Sequence, residues 1–288
     1  MDFTARMKRN MRLIRPIRIV IIILLSLASC NSASKTAPQR AGFLEGAPNF
    51  RDLGGYVAGN RQTVWRKLFR SQELSQLTDT DLAILREIGV KTIVDFRADN
   101  EVHTAESRLP EGVKIIRIPI AVDNVAANDT TPSIMERITT GDADILQAID
   151  YMEQMNRILV NNFALQYGDF FKILLQADAY PIVFHCSAGK DRTGFAAALV
   201  LTSLGVDWDT VVEDYMLTNT YFKSSSISSR VALQAMPAMQ QLLSVRESYI
   251  FAAHNEIMAQ YGSMDNFLQY ALDIGETEKN ALKKYMLN

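Results

Sequence analysis

Apolar and polar positions change period several times along this chain, and the changes mark alternating helices and strands. Thr78 stands three residues before Asp81, and Leu82, Leu85 and Ile88 follow at helical spacing before Gly89, so a capped helix is expected there. Residues 91–96 (KTIVDF) and 114–118 (KIIRI) are short β-branched runs, the second ended by Pro119. Residues 121–144 hold few large apolar side chains and many Asp, Asn, Thr and Gly, the composition of a long loop; inside a compact domain such a loop is usually a lid or an insertion. Helical spacing returns over 145–176. There Ile145, Ile149, Met152, Met155, Leu159 and Phe163 form an apolar stripe expected to pack in the core, with Gly168 expected to interrupt it. Residues 181–184 (PIVF) are a buried-strand candidate, residues 193–204 a small-residue helix stopped by Gly205, and further helices fill the last third. Strands alternating with helices predict an α/β fold with a mostly parallel central sheet flanked by helices.

The N-terminus departs from this pattern. Arg6, Lys8, Arg9, Arg12, Arg15 and Arg18 precede the apolar run 19–27, which ends Leu27-Ala28-Ser29-Cys30. The run is too short for a mature spanning helix, which needs about twenty residues, but it suits the centre of an export signal. The small residues before Cys30 resemble a bacterial lipobox. That resemblance implies a signal peptide over 1–29 and a lipid on Cys30, anchoring the protein to a membrane of the bacterial cell envelope on its periplasmic or surface face. Residues 31–40 (NSASKTAPQR) are small and polar, so 30–41 is expected to be a flexible tether and 42–288 one catalytic domain.

Composition narrows the chemistry. The 288 residues are 48% hydrophobic and 22% charged with a net charge of −2, which excludes a disordered polymer and a strongly basic nucleic-acid binder. Without residues 1–29, 24 basic and 31 acidic residues remain, a net charge of −7, so attraction for an anion must come from a local site. Two cysteines and three histidines supply neither a disulfide framework nor a four-cysteine zinc site. There is no Walker loop, dinucleotide fingerprint or metal-ligand spacing, so no metal or cofactor is expected. With Cys30 lipidated, Cys186 is the lone free thiol.

Between the strand candidate and the small-residue helix lies His185-Cys186-Ser187-Ala188-Gly189-Lys190-Asp191-Arg192-Thr193-Gly194. A loop that ends a buried strand and opens a helix aims its free N–H groups into one concavity, where the helix dipole adds positive potential. The residues Ser187, Ala188, Gly189, Lys190 and Asp191 can curl around a tetrahedral dianion while Arg192 grips two of its oxygens and the Cys186 sulfur lies beneath the phosphorus. The same surroundings are expected to lower the Cys186 thiol from its free value of about 8.5, giving a nucleophilic thiolate. Thr193 can donate to the sulfur and help it leave, and Gly189 and Gly194 allow close backbone approaches.

The complete string resembles the phosphate-binding loop of the cysteine-dependent protein tyrosine phosphatase superfamily. More narrowly it is similar to the bacterial tyrosine and lipid phosphatase group with Lys-Asp in the loop, which includes secreted mycobacterial and listerial enzymes. The resemblance extends to Asn49-Phe50-Arg51-Asp52-Leu53-Gly54-Gly55-Tyr56, Leu68-Phe69-Arg70-Ser71, Val94-Asp95-Phe96-Arg97, Glu213-Asp214-Tyr215 and the region of Tyr261-Gly262-Ser263, and so covers the chain from about residue 47 onward. It implies a metal-independent phosphomonoester hydrolase with a cysteinyl-phosphate intermediate. Cys186 is then the nucleophile, Arg192 the phosphate clamp, Lys190 a charge at the pocket rim and His185 a support for the loop. The general acid of the mycobacterial relative matches Val122, one residue before Asp123. Asp123 is the expected acid, with Asp191, which can alternatively orient Arg192, and Asp95 as rivals. Asp52, Arg70 and Arg97 read as structural ion-pair partners. The expected substrate is a phosphotyrosine protein, with phosphoinositides or inositol phosphates second. A non-catalytic phosphate-binding lipoprotein and a sulfur transferase are the rival readings.

Overall fold

The computed structural model describes residues 40–122, 134–222 and 236–288. Five strands form the central sheet: β1 (Arg51–Asp52), β4 (Leu68–Ser71), β5 (Thr92–Asp95), β6 (Lys114–Arg117) and β7 (Ile182–His185), in the order β1-β4-β7-β5-β6. Two further strands, β2 (Val57–Ala58) and β3 (Arg61–Gln62), pair as a separate ribbon. β4, β7, β5 and β6 run parallel, and β1 closes one edge antiparallel. The expected α/β architecture with a mostly parallel sheet is therefore the one observed.

Successive residues of a strand face opposite sides of a sheet, and the three inner strands divide their side chains accordingly. Phe69, Ile93 and Val183 enter one core with Leu82 and Leu85 of α1 (Asp79–Ile88). Leu68, Val94, Ile182 and Phe184 enter the larger opposite core. Helix α1 starts at the capping box read from the sequence: Thr78 accepts from the Asp81 N–H, Asp81 accepts from the Thr78 N–H, and Gly89 ends the helix in the left-handed region. The short α2 (Asp99–Thr104) follows β5.

Residues 121–144 do not form one long loop. Ile134–Thr140 is a helix, α3, and Ile138 is fully buried in the larger core. Its isoleucines, Ile134 and Ile138, lie four apart, enough for one turn to bury a face, though too short a stripe to stand out in the sequence. Helix α4 (Ile145–Leu174) continues through Gly168, and its kink falls instead at Phe163, where the backbone leaves helical geometry (φ −125°, ψ 18°). A Cβ at Gly168 would lie 2.9 Å from the Leu272 carbonyl oxygen, so glycine is needed there for a close approach rather than for a helix stop.

Helix α5 (Asp191–Leu204) leaves the end of β7 and is buried along most of its length, ending at Gly205 as expected. It is followed by α6 (Trp208–Met216), α7 (Thr218–Tyr221), α8 (Pro237–Leu243), α9 (Glu247–Tyr261), α10 (Met264–Ala271) and α11 (Glu276–Met286). Helices α8 and α9 pack on α4, which shares the larger core with α5. Under the ends of β5 and β7, Phe96, Phe170 and Phe184 interlock with ring centroids 4.9–6.2 Å apart. Such pairs contribute about 0.5–1.5 kcal/mol each beyond their burial, and here they fix the floor beneath the loop that follows β7.

The packed chain begins before residue 42. Arg40 stacks over the rings of Tyr56 and Trp65, 3.8 and 5.0 Å from their centroids, and donates to the Asp52 carbonyl, while Ala41 bridges to Arg51. Cys30 and the rest of 1–39 lie outside the described residues, as do 123–133 and with them Asp123. Among the described residues no helix is long and apolar enough to cross a membrane.

Candidate active site

In an open α/β sheet, ligands bind beyond the carboxyl ends of the strands. Here β7 delivers residues 186–190, β5 delivers the α2 segment, and β6 delivers Ile118–Ile120. The Ile120 N–H bonds to the Phe96 carbonyl and the Phe96 N–H to the His185 carbonyl, so the three segments are stitched together.

Cys186 sits on the floor, buried, with its Sγ accepting the Gly189 N–H at 3.3 Å. Gly189 has φ 69°, and a Cβ there would lie 2.3 Å from the Ser71 carbonyl oxygen, so this turn of the loop requires glycine. A cavity of about 300 Å³ opens above the sulfur. Ser187, Ala188, Lys190, Asp191 and Arg192 line it on one side. Met152, Met155 and Leu159, from the stripe read as core packing alone, line it on the other together with Tyr151 and Leu242. The α4 stripe thus serves both the core and the pocket.

Arg192 is held by a carboxylate that the sequence reading did not single out. Glu101 of α2 takes Nη1 on Oε2 and Nη2 on Oε1, both at 2.7 Å, and the Ile120 carbonyl accepts a second Nη1 hydrogen at 3.2 Å. The Ser187 hydroxyl also donates to Glu101 Oε1. A guanidinium has five N–H donors, so this end-on grip leaves Nε–H and one Nη2–H, which share an edge. That edge is a two-pronged donor for two oxygens of one anion. The helix dipole of α5 opens toward the same space.

The remaining predicted residues fall in varied places. Lys190 is nearly buried, and its Nζ is committed to the Ser244 carbonyl at 3.1 Å and Asp191 Oδ2 at 3.3 Å rather than standing free at the rim. Asp191 lines the pocket with its Oδ1 accepting from the Tyr215 hydroxyl at 3.2 Å. Thr193, in the first turn of α5, is fully buried; its hydroxyl has no partner among the described residues and makes no bond to Sγ. His185, read as a support for the loop, is fully buried with its Nδ1 bonding the Cys186 carbonyl at 3.1 Å, and burial lowers its pKa, keeping the ring neutral. Asp95 is held by Arg97 through both carboxylate oxygens, away from the pocket, which removes it as a proton donor. Arg97 and Arg70 are ion-paired as expected; Asp52 is not, and instead accepts the N–H groups of Gly54 and Arg66.

Residues 43–288 match the model of the tyrosine phosphatase family. The chain belongs to that family. A Cupriavidus necator protein named as a candidate tyrosine-protein phosphatase is 31% identical over 267 residues, 87% of this chain and 94% of the relative. The triple specificity protein phosphatase PtpB of Mycobacterium tuberculosis is 30% identical over 276 residues, 85% of this chain and 98% of the relative. Among solved structures, Pseudomonas aeruginosa TpbA matches at 17% identity over 70% of this chain and 97% of its own, with a TM-score of 0.30, too slight a likeness to add to the fold seen here.

In this phosphatase Glu101 was legible only as a helix-start acid: it stands at the third helical position and accepts the Ala98 N–H, as a capping residue does. Its distance in sequence from Arg192 hides the pairing. Against the upward push of burial, the hydrogen bonds and charge of Arg192 hold the Glu101 carboxyl down to about 2. A depressed carboxylate contributes stability that is complete above its ordinary value of 4.5 and lost as pH falls through about 2, so the pair is intact at every pH where the enzyme would be assayed. Glu101→Gln should lower kcat/KM about 100-fold through a misplaced guanidinium, read from steady-state hydrolysis of a phosphotyrosine peptide. A value within about threefold of the unaltered enzyme would show that Arg192 is positioned without Glu101.

Proposed function

We propose that this tyrosine phosphatase hydrolyses phosphomonoesters through a phosphocysteine at Cys186. The observation that carries the reading is the placement of Sγ, bonded by the Gly189 N–H, at the floor of a pocket lined by the loop residues Ser187, Ala188, Lys190 and Asp191 and by Arg192. The Cys186 thiolate forms an S–P bond as the ester P–O bond breaks, and the leaving oxygen takes a proton from a carboxylic acid. Water then attacks phosphorus and passes a proton to the carboxylate left by the first step, the S–P bond breaks, and phosphate leaves with the thiolate and the carboxylic acid both restored. Asp191 is the carboxylate that lines the pocket among the described residues, which favours it as the proton donor; Asp123 rests on sequence alone.

The preferred substrate is phosphotyrosine in a protein. Thioether and leucine side chains of Met152, Met155, Leu159 and Leu242 suit the faces and edges of an aromatic ring. An inositol phosphate would present several hydroxyl and phosphate groups to that wall, and the Lys190 charge is already engaged by Asp191. The resemblance of the Lys190-Asp191 loop to bacterial tyrosine and lipid phosphatases keeps phosphoinositides as a second substrate class. Phosphate release should be at least about tenfold faster from a phosphotyrosine peptide than from phosphoinositide vesicles at equal phosphomonoester concentration. The reverse order would move the assignment to lipid. No release from either, with vanadate still bound, would make this a binding protein, and thiosulfate-to-cyanide transfer would make it a sulfur transferase.

The lipobox-like segment supports anchoring of this enzyme to the bacterial envelope through a lipid on Cys30. Metabolically supplied radioactive palmitate should label the full chain and fail to label Cys30→Ala. Equal labelling of both would overturn the anchor.

A further inference from the structure

A fully buried polar cluster lies behind the catalytic loop, and its parts face the loop's carbonyls. Asn49, Arg51, Arg70 and Asp214 are each at most 1% exposed. Asp214 takes Arg51 Nε on Oδ1 at 3.1 Å and Arg70 Nη1 on Oδ2 at 2.6 Å, and Tyr56 donates its hydroxyl to Oδ1 at 2.8 Å. Burying groups this polar is costly unless each is bonded, so a cluster of this kind holds its members in one arrangement.

That arrangement ends on two peptide groups of the loop. Asn49 Nδ2 donates to the Ala188 carbonyl at 3.0 Å and to the Gly189 carbonyl at 3.3 Å, and Arg70 Nη2 donates to the Gly189 carbonyl at 2.9 Å. The carboxamide of Asn49 cannot turn round: Arg51, which only donates, holds Asn49 Oδ1 at 2.6 Å, so Nδ2 must face the loop. A trans peptide is planar with its C=O and N–H pointing oppositely. Holding the Ala188 carbonyl from behind therefore turns the Gly189 N–H forward, where it meets Cys186 Sγ. Holding the Gly189 carbonyl turns the Lys190 N–H the same way.

We infer that Asn49 and Arg70 are positioning residues for the anion cradle, setting the direction of the Gly189 and Lys190 N–H groups by gripping the carbonyls behind them. Two guanidinium groups share the single Asp214 carboxylate, so the cluster also leaves one unit of positive charge beneath the site, of the sign that favours a bound dianion. Neither Asn49 nor Arg70 lines the pocket, so both act through the loop. The inference rests on the phosphatase reading of Cys186, and its test needs no turnover.

The test is alkylation of Cys186 in the full chain by anionic iodoacetate and by neutral iodoacetamide, with and without inorganic phosphate. In the unaltered chain iodoacetate should be favoured and phosphate should protect. Asn49→Ser removes the donor without changing charge, and Asn49→Asp keeps the shape and the Arg51 contact while facing the carbonyls with an acceptor. In each the iodoacetate-to-iodoacetamide ratio and the phosphate affinity should fall about tenfold, the factor for one lost hydrogen bond. Leu85→Ala, a cavity in the core on the other side of the sheet, should lower the melting temperature and leave the ratio alone. A ratio within twofold of the unaltered chain in either folded Asn49 variant would overturn the inference. No anion preference in the unaltered chain would overturn the phosphatase reading along with it.

Discussion

Cys186→Ser should lower phosphate release from a phosphotyrosine peptide by about 10⁵-fold or more, the scale at which an enzyme loses its nucleophile. A serine hydroxyl would need a base to take its proton, as serine hydrolases supply with histidine. Here the neighbouring histidine is unsuited to that task. His185 has its Nδ1 on the Cys186 carbonyl, and its Nε2 is buried without a partner among the described residues. The site thus offers no base to a serine hydroxyl at this position. The loop donors and Arg192 are untouched by the substitution, so phosphate binding by equilibrium dialysis should stay within about threefold of the unaltered enzyme. Loss of both binding and turnover would mean that the serine had collapsed the loop; residual turnover within tenfold of the unaltered enzyme would mean that Cys186 is not the attacking group.

The second large effect is on stability. Asp214→Ala leaves Arg51 and Arg70 buried with no carboxylate between them, and breaking such an arrangement costs about 3–5 kcal/mol. For a domain of this size the melting temperature should fall by roughly 10 °C, measured by calorimetry at neutral pH. Burial alone would raise the Asp214 carboxyl, yet the charges of Arg51 and Arg70 and the Tyr56 hydroxyl hold it well below the usual carboxylate range. The stabilisation it brings is present in full above the ordinary carboxylate value near 3.9 and is lost only as pH falls through its depressed folded value. A melting temperature lowered by no more than about 3 °C would show that the two arginines find other partners.

Local signals were read from the sequence wherever neighbours in the chain make the structure. The Thr78–Asp81 box, the β-branched strands and the Gly205 stop depend on residues within a few positions, and each stands where its pattern puts it. The loop from Cys186 to Arg192 was legible for the same reason, since one strand, one turn and one helix start build it. What could not be read were pairings across the chain. Glu101 reaches Arg192, and Asn49 reaches Ala188, across 91 and 139 positions, and no local pattern marks either meeting. Lys190 shows the same limit from the other side: its charge was predicted at the rim, but the Ser244 carbonyl, brought up by the packing of α8 on α4, takes it. The methionines of α4 were ambiguous because helical spacing identifies a buried face without saying whether protein or ligand covers it.

The central statement, that chemistry passes through a covalent bond to Cys186, is tested most directly by rapid acid quench during the first turnover of a phosphotyrosine peptide, followed by mass measurement of the proteolysed enzyme. The arrangement of Sγ beneath the loop donors predicts a phosphate adduct on the peptide carrying Cys186, rising and decaying within the turnover. Product phosphate forming at full rate with no adduct on that peptide at any time in the turnover would contradict it.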